Sequence, residues 1–145
     1  MFGCDYISLK SAHGKYVVAE LDGNANANKD ISSDWETFHV EQQGDIKVAL
    51  RSYHGKYLVA ESDGTANANR DNVGSWETFT VELLEGGKKV AFQSVHGTYL
   101  VAEDDGRLNA NRRSRQEWET FTPECKPKNG NSYNINRTKL IQPVI

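Results

Sequence analysis

Cysteine and long apolar runs are scarce or missing in this sequence. Among 145 residues only Cys4 and Cys125 are cysteines, too few for a disulfide framework. They flank the repeated region and would lie near each other if the fold closes on itself, but we predict free thiols because the chain looks cytosolic. No apolar run could form a transmembrane segment, and the start MFGCDYISLKS lacks the layout of a signal peptide. We therefore expect a cytoplasmic protein or one secreted without a signal peptide.

Extended basic runs and known catalytic motifs are also missing. A net charge of -3 argues against nucleic-acid binding, because that affinity comes from neutralised phosphates. The short basic run RRSR at 112–115 is interpreted as a solvated loop. No HExxH, nucleophile elbow, phosphate loop or CxxC is present. We predict that the protein is not an enzyme and uses no cofactor.

One pattern, in contrast, occurs three times. The copies begin HGKYVVAELDGNANANKD at His13, HGKYLVAESDGTANANRD at His54 and HGTYLVAEDDGRLNANRR at His96, and each ends in WETF. The His-Gly pairs and the WETF quartets both step by 41 and then by 42 residues. The extra residue falls where EQQGDIKV becomes ELLEGGKKV, a polar turn in which insertions cost little.

Each copy has the periodicity of β-strands. Apolar residues alternate with polar ones before the His-Gly pair, and YLVAE is rich in aromatic and branched residues. A Gly-containing turn and the returning NAN segment then predict a hairpin. If Gly64 takes the left-handed position of that turn, Val59 faces Asn67. The same register places Tyr57 opposite Asn69.

Four strands in each of three repeats make twelve, and these strands must share one core. A single repeat cannot bury its own apolar face. Closing the repeats around a threefold axis into a short capped barrel removes open strand edges. We predict an all-β protein, a β-trefoil with pseudo-threefold repeats of about 41 residues. The trefoil covers residues 1–124, with repeats at about 5–44, 45–86 and 87–124, and a C-terminal extension follows at 125–145.

The repeated sequence motifs resemble those of a known family. HGKYLVAE, the turn DG, NANRD and WETF resemble the fascin-like β-trefoil family in all three repeats, over about residues 5–124. The resemblance implies different functions: fascins bundle actin with several tandem trefoils, and hisactophilin is a His-rich trefoil that binds actin and membranes. Similar domains accompany secreted polysaccharide-degrading enzymes, which implies carbohydrate binding. This chain has one trefoil and 4 His, so it departs from both actin-binding patterns.

Polar positions recur as faithfully as apolar ones. A threefold core requires only that buried positions repeat. Each residue type alone has a structural interpretation: His-Gly closes a tight turn, Asn bonds the backbone, and Trp fills the junction between barrel and cap. Taken together, the amides and carboxylates suit sugar hydroxyls and the aromatic faces suit sugar rings. We predict a multivalent lectin with three equivalent shallow sites, one per repeat.

The predicted ligand-binding residues occupy the same four positions of each repeat. They are His13, Glu20, Asn26, Asn28, His54, Glu61, Asn67, Asn69, His96, Glu103, Asn109 and Asn111. A second set of aromatic and cationic residues flanks them. It comprises Tyr16, Tyr57, Tyr99, Lys29, Arg70, Arg112, Trp35, Trp76 and Trp118. Three equivalent imidazoles could in principle meet on the axis as a metal site. The register places them at the periphery, so no metal is predicted.

Glycans or glycoconjugates are therefore the predicted partners, and F-actin is the alternative. Actin is acidic and this chain has no large basic patch, which counts against the alternative. The C-terminal extension ends with the apolar residues Leu140, Ile141, Val144 and Ile145. We expect this end to dock on the domain or on a second copy, in which case the protein is a homodimer.

Overall fold

The structure, a computed structural model, describes residues 2–127 and contains twelve β-strands over that range. The strands are β1 Tyr6–Lys10, β2 Tyr16–Ala19, β3 Ala25–Lys29, β4 Phe38–Gln42, β5 Lys47–Arg51, β6 Tyr57–Ala60, β7 Ala66–Arg70, β8 Phe79–Leu84, β9 Lys89–Gln93, β10 Tyr99–Ala102, β11 Leu108–Arg112 and β12 Thr122–Cys125. Short 3-10 turns lie at Asp34–Glu36, Ser75–Glu77, Glu85–Gly87 and Glu117–Glu119. Within the described range there is no helix with the length and hydrophobicity to cross a membrane. The predicted docking of the C-terminal apolar end lies outside the described residues.

Six strands, two from each repeat, form a barrel. β1 pairs with β4 and β12, β4 with β5, β5 with β8, and β8 with β9, all antiparallel. The junction between β9 and β12 is a single bridge, in which Val90 and Phe121 exchange two backbone hydrogen bonds of 2.8 Å. Because β1 pairs with β12, the first and last strands are direct neighbours and the two ends of the domain meet.

The other six strands form three hairpins, β2–β3, β6–β7 and β10–β11, that cap one end of the barrel. Each hairpin is tied to the next by a backbone hydrogen bond of 2.8 Å onto a turn glycine. The donors and acceptors are Ala27 N to Gly106 O, Ala68 N to Gly23 O, and Ala110 N to Gly64 O. The three hairpins thus close a cyclic cap over the barrel. This architecture is a β-trefoil, and the predicted fold class is confirmed.

The hairpin-turn glycines are required for two reasons. Gly23, Gly64 and Gly106 have φ values of 94°, 93° and 94°, the left-handed region that the sequence predicted for them. A Cβ at Gly64 would also lie 2.8 Å from the Cβ of Asn111 on the next hairpin. Glycine at this position therefore permits both the turn and the close approach of neighbouring hairpins.

The predicted hairpin register is confirmed at one pair and wrong at another. Val59 pairs with Asn67 as predicted, but Tyr57 pairs with Arg70 and not with Asn69. A β-bulge between Tyr57 and Val59 inserts the extra residue and changes the partner. All three hairpins have this irregularity at the same place.

The core lies where the barrel meets the cap. Phe79 contacts Phe92 edge to face, with ring centroids 6.4 Å apart, and Phe92 lies 6.3 Å from Phe121. These aromatic side chains are fully buried. Leu108, which stands where the other repeats have alanine, is also buried, as its predicted core position requires.

The expectation of free thiols is wrong: Cys4 and Cys125 form a disulfide with their Cα atoms 5.9 Å apart. The cause is the topology just described. β1 and β12 are adjacent and Ile7 pairs with Cys125, so the fold itself brings the two cysteines together. The bridge closes the chain over a sequence separation of 121 residues.

Ser8 is the least well satisfied polar residue of the barrel strands. Its hydroxyl is fully buried and has no hydrogen-bond partner in the described part of the chain. The equivalent positions hold Ala49 and Ala91, both fully buried. We expect Ser8→Ala to raise the free energy of unfolding by about 1 kcal/mol, because an unpaired buried hydroxyl is removed and alanine fits this site. Urea denaturation measures the change.

Ser52 provides the matched control for that substitution. It is also buried, but its Oγ accepts hydrogen bonds from the backbone N–H groups of His54 at 3.2 Å and Lys56 at 3.3 Å. We expect Ser52→Ala to lower stability. A loss of stability in Ser8→Ala comparable to that of Ser52→Ala would show that the Ser8 hydroxyl is satisfied in solution.

Candidate functional site

Each cap hairpin carries a cluster of three polar side chains, which we call the hairpin cluster. In the second repeat, Glu61 accepts hydrogen bonds from Asn67 Nδ2 at 3.1 Å and from Arg70 Nη2 at 2.6 Å. The third repeat has the same bonds at 2.9 and 2.6 Å, among Glu103, Asn109 and Arg112. In the first repeat Asn26 lies 3.2 Å from Glu20 and the cation is Lys29, 3.9 Å away. Three of the predicted positions therefore do come together in every repeat.

The second asparagine of each hairpin lies beside this cluster and is exposed. Asn69 Oδ1 accepts a hydrogen bond from Arg70 Nη1 at 2.6 Å, and Asn111 does the same for Arg112. Within the described residues, the hydrogen bonds of Asn69 and Asn111 use the amide oxygen. Both residues are exposed to solvent. The Cβ atoms of this asparagine position pack on the turn glycines of neighbouring hairpins.

The histidines are placed at the joints between repeats, where each ring bonds to the backbone carbonyl that precedes the glutamate of a hairpin cluster. His54 Nε2 donates to the carbonyl oxygen of Ala19 at 2.9 Å, and the ring meets Trp35 edge to face with centroids 4.7 Å apart. His96 makes the same contacts with Ala60 and Trp76. His13 makes them with Ala102 and Trp118. Each histidine thus links its own repeat to the preceding one around the axis. No group of three His, Cys, Asp or Glu side chains among residues 2–127 is arranged to hold a metal ion.

The WETF quartet builds the turn that holds each tryptophan. In the second repeat, Glu77 Oε1 accepts from the backbone N–H of Gly74 at 2.6 Å, and Thr78 Oγ1 donates to the Gly74 carbonyl at 2.9 Å. Equivalent bonds exist in the other repeats. Because Phe79 is in the core, the quartet is anchored at its end, and Trp76 remains 37% exposed above it.

The tyrosines contact a set of glutamates that the sequence reading missed. Tyr57 and Tyr99 donate hydroxyl hydrogen bonds of 2.7 Å to Glu41 and Glu82, and Tyr16 donates one of 2.9 Å to Glu124. Hydrogen bonding to Glu41 and burial raise the pKa of the Tyr57 hydroxyl, so it stays a donor at neutral pH. The sequence does contain a pattern that identifies these glutamates: one stands three residues after the phenylalanine of each WETF quartet. The tyrosines therefore join hairpin to barrel.

A cleft of about 360 Å³ opens beside the hairpin cluster of the third repeat. It is lined by Arg112, Gln116, Glu117, Trp118 and Glu119. Arg112 is the cation of the hairpin cluster, so the cleft lies between that cluster and the WETF turn. Its walls combine a guanidinium, carboxylates, an amide and an indole, and its volume is in the range of small-ligand sites.

The sequence matches one family model. A model described as Fascin domain matches residues 12–123. The chain belongs to the fascin-domain family. A search of curated proteins finds no match. The fascin domain covers all three hairpin clusters and His–Trp pairs, so the resemblance stated from the repeated motifs is confirmed.

Proposed function

We propose that the protein binds glycans through three shallow sites, one in each repeat, between the hairpin cluster and the WETF tryptophan. The observation that carries the proposal is the cleft beside Arg112 and Trp118. The corresponding residues of the other repeats are Arg70 with Trp76, and Lys29 with Trp35. The role is binding without catalysis.

The chemistry of the cleft suits a sugar. Hydroxyl groups need both donors and acceptors, and the cleft offers Arg112 as donor, Glu117 as acceptor and the Gln116 amide as both. The indole of Trp118 supplies apolar surface for the face of a sugar ring. A cleft this open buries little ligand, so a single site is expected to be weak.

The internal bonds of the hairpin cluster hold the binding groups in place. Glu103 is buried and its oxygens are bonded to Asn109 and Arg112. Arg112 is held from a second side by Asn111, at 2.6 Å. A guanidinium fixed in this way loses little side-chain entropy when a ligand binds. The hairpin cluster is therefore interpreted as the support of the site, and the exposed asparagine amide as part of its contact surface.

Three weak sites on one rigid domain favour a surface that displays many copies of a glycan. Binding to such a surface becomes tight because the second and third contacts form at a high effective concentration. The Cys4–Cys125 disulfide favours an oxidising environment, where exposed glycans occur. We therefore propose that the protein acts on glycan surfaces outside the cytosol.

The test is binding to a glycan array with asparagine variants. We expect Asn28→Ala/Asn69→Ala/Asn111→Ala to lose at least about tenfold in apparent affinity. The reason is that each change removes an exposed amide, and at Asn69 and Asn111 also a hydrogen bond to the neighbouring arginine. Alanine keeps the Cβ that packs on the turn glycine, so the fold should survive. Single substitutions should lose less, because two sites remain.

Asn72→Ala is the matched control, since Asn72 is exposed in the loop after β7 and lies outside the site. It should bind like the unmodified protein. Circular dichroism and thermal unfolding establish that all variants are folded. Absence of binding by the folded, unmodified protein to every array glycan would refute the proposal.

Actin binding is the second candidate, and the match to the Fascin domain model favours it. Fascins bind actin, but bundling by a chain with one trefoil would require a second copy. Co-sedimentation with actin filaments distinguishes the candidates. Sedimentation with filaments combined with a blank glycan array would replace glycan binding with this function.

A further inference from the structure

The three repeats differ at the residue before His-Gly, and this difference changes the surface. The position holds Ala12, Tyr53 and Val95 in the first, second and third repeats. A groove runs beside this position at the joints that carry Ala12 and Val95. Where Val95 stands at the rim, the groove measures about 330 Å³. Where Ala12 stands, it measures about 700 Å³. The smaller side chain thus accompanies the larger groove.

At the third joint, where His54 bonds to Ala19, the chain itself makes an additional contact. Tyr53, next to His54, is exposed, and Lys126 Nζ donates to Ser32 Oγ at 3.0 Å and to the Ser32 carbonyl at 3.3 Å. The Lys126 backbone N–H is bonded to the carbonyl of Tyr6. The groove at Ala12 is therefore about twice the volume of the groove at Val95, and the third joint differs from both because Lys126 contacts it.

The single inserted residue of the second repeat also lies at the large groove. The insertion is in the turn Glu85–Gly87, where three successive residues have φ values of 51°, 69° and 93°. Glu85 lines the groove. Two departures from threefold symmetry, the insertion and Ala12, therefore meet at one place.

The large groove adjoins the cleft of the third repeat. Gln116 and Glu117 line both cavities. The combined site runs from Arg112 and Trp118, across these two residues, to Ala12 and the inserted turn. With volumes of about 700 and 360 Å³, the two adjoining cavities offer room for several linked sugars, whereas the cleft alone suits one.

The charged residues of the groove indicate which chemical type of ligand it would bind. Glu85, Glu117, Lys89 and Arg115 line it. Arg115 Nε is paired with Glu82 at 2.8 Å, and the other three side chains are in no ion pair with another residue of the described range. Two unpaired carboxylates against one unpaired ammonium leave an excess of one negative charge. Such a groove favours a ligand with amino groups over the same ligand with those groups acetylated.

We propose that the third repeat has an extended site, the cleft together with the Ala12 groove, that binds an oligosaccharide of amino sugars. This proposal rests on the proposed glycan-binding function. The other two repeats contact single sugars. The site is specific because the groove is larger at Ala12 than at Val95 and because Glu85 and Glu117 offer carboxylates to the ligand amines.

The experiment is titration calorimetry with three probes: glucosamine, the β-1,4-linked glucosamine tetramer, and the N-acetylglucosamine tetramer. The unmodified protein should bind the glucosamine tetramer more tightly than either of the others. Ala12→Tyr fills the groove with the residue that the second repeat already carries at this position, so folding should not suffer. It should weaken tetramer binding by about tenfold and leave glucosamine binding unchanged. Val95→Ala, at the equivalent rim, is the matched control and should leave tetramer affinity undiminished.

Several results would overturn the proposal. One is unchanged tetramer affinity in Ala12→Tyr, and another is equal affinity for the acetylated tetramer. A third is absence of glucosamine-tetramer binding by a protein that binds other glycans on the array, which would leave the proposed function intact. Absence of binding to every glycan on the array would refute both the proposed function and the extended site.

Discussion

Loss of the Cys4–Cys125 bridge is expected to lower the free energy of unfolding by about 4 kcal/mol. The bridge closes a loop of 121 residues, and a loop of this length restricts the unfolded chain strongly. It also links the segment just before β1 to β12. Close to it, the single β-bridge between Val90 and Phe121 connects β9 to the end of the chain that leads into β12. Cys4→Ser/Cys125→Ser, measured by urea denaturation, gives the size of the effect.

Reductant supplies the control for that experiment. The unmodified protein in excess dithiothreitol should unfold at the urea concentration of the double variant. The double variant itself should not respond to dithiothreitol. Equal stability of the oxidised protein and the double variant, or free thiols in the native protein under oxidising conditions, would contradict the disulfide.

Gly64→Ala is expected to cost about 2 to 5 kcal/mol of stability. The left-handed backbone alone costs an alanine roughly 1–2 kcal/mol. The added Cβ would lie 2.8 Å from the Cβ of Asn111, and relieving such an overlap costs about 1–3 kcal/mol. Thermal and urea unfolding measure the sum.

Gly14→Ala separates the two costs. Gly14 has a φ of 78° but nothing within 4 Å of an added Cβ, so only the backbone cost applies. Asn111→Gly removes the opposing Cβ and should recover part of the loss when combined with Gly64→Ala. Equal losses in Gly14→Ala and Gly64→Ala, without recovery in the double variant, would show that the hairpins do not approach this closely.

The fold was predictable from the sequence because its determinants are local and repeated. Alternating apolar residues, a Gly turn and a returning strand occur in each copy, and only closure around an axis buries them all. The disulfide was predicted wrongly because of the inferred compartment: closure of the fold was expected to bring the cysteines near each other, but free thiols were predicted because the chain looks cytosolic. Only the pairing of β1 with β12 brings Cys4 and Cys125 together.

The roles of individual side chains were harder to predict than their recurrence. The β-bulge after Tyr57 turns this tyrosine towards Glu41, a partner 16 residues away on the barrel. The histidines bond to the preceding repeat, so their partners are not in their own motif. The Ala12 groove was not foreseen, since it arises from a small residue and an insertion that are 73 positions apart in the chain but meet in space. Residues that recur in all three repeats make the contacts that the three joints share, and residues that differ between repeats make the joints different.

The most direct test of glycan binding is NMR of the three tryptophan indole N–H groups during titration with a glycan bound on the array. Trp35, Trp76 and Trp118 each border one proposed site, so titration with a single sugar should shift all three indole signals. Their assignment follows from single Trp→Phe variants. Binding that leaves all three indole signals unmoved would place the glycan elsewhere and contradict the account.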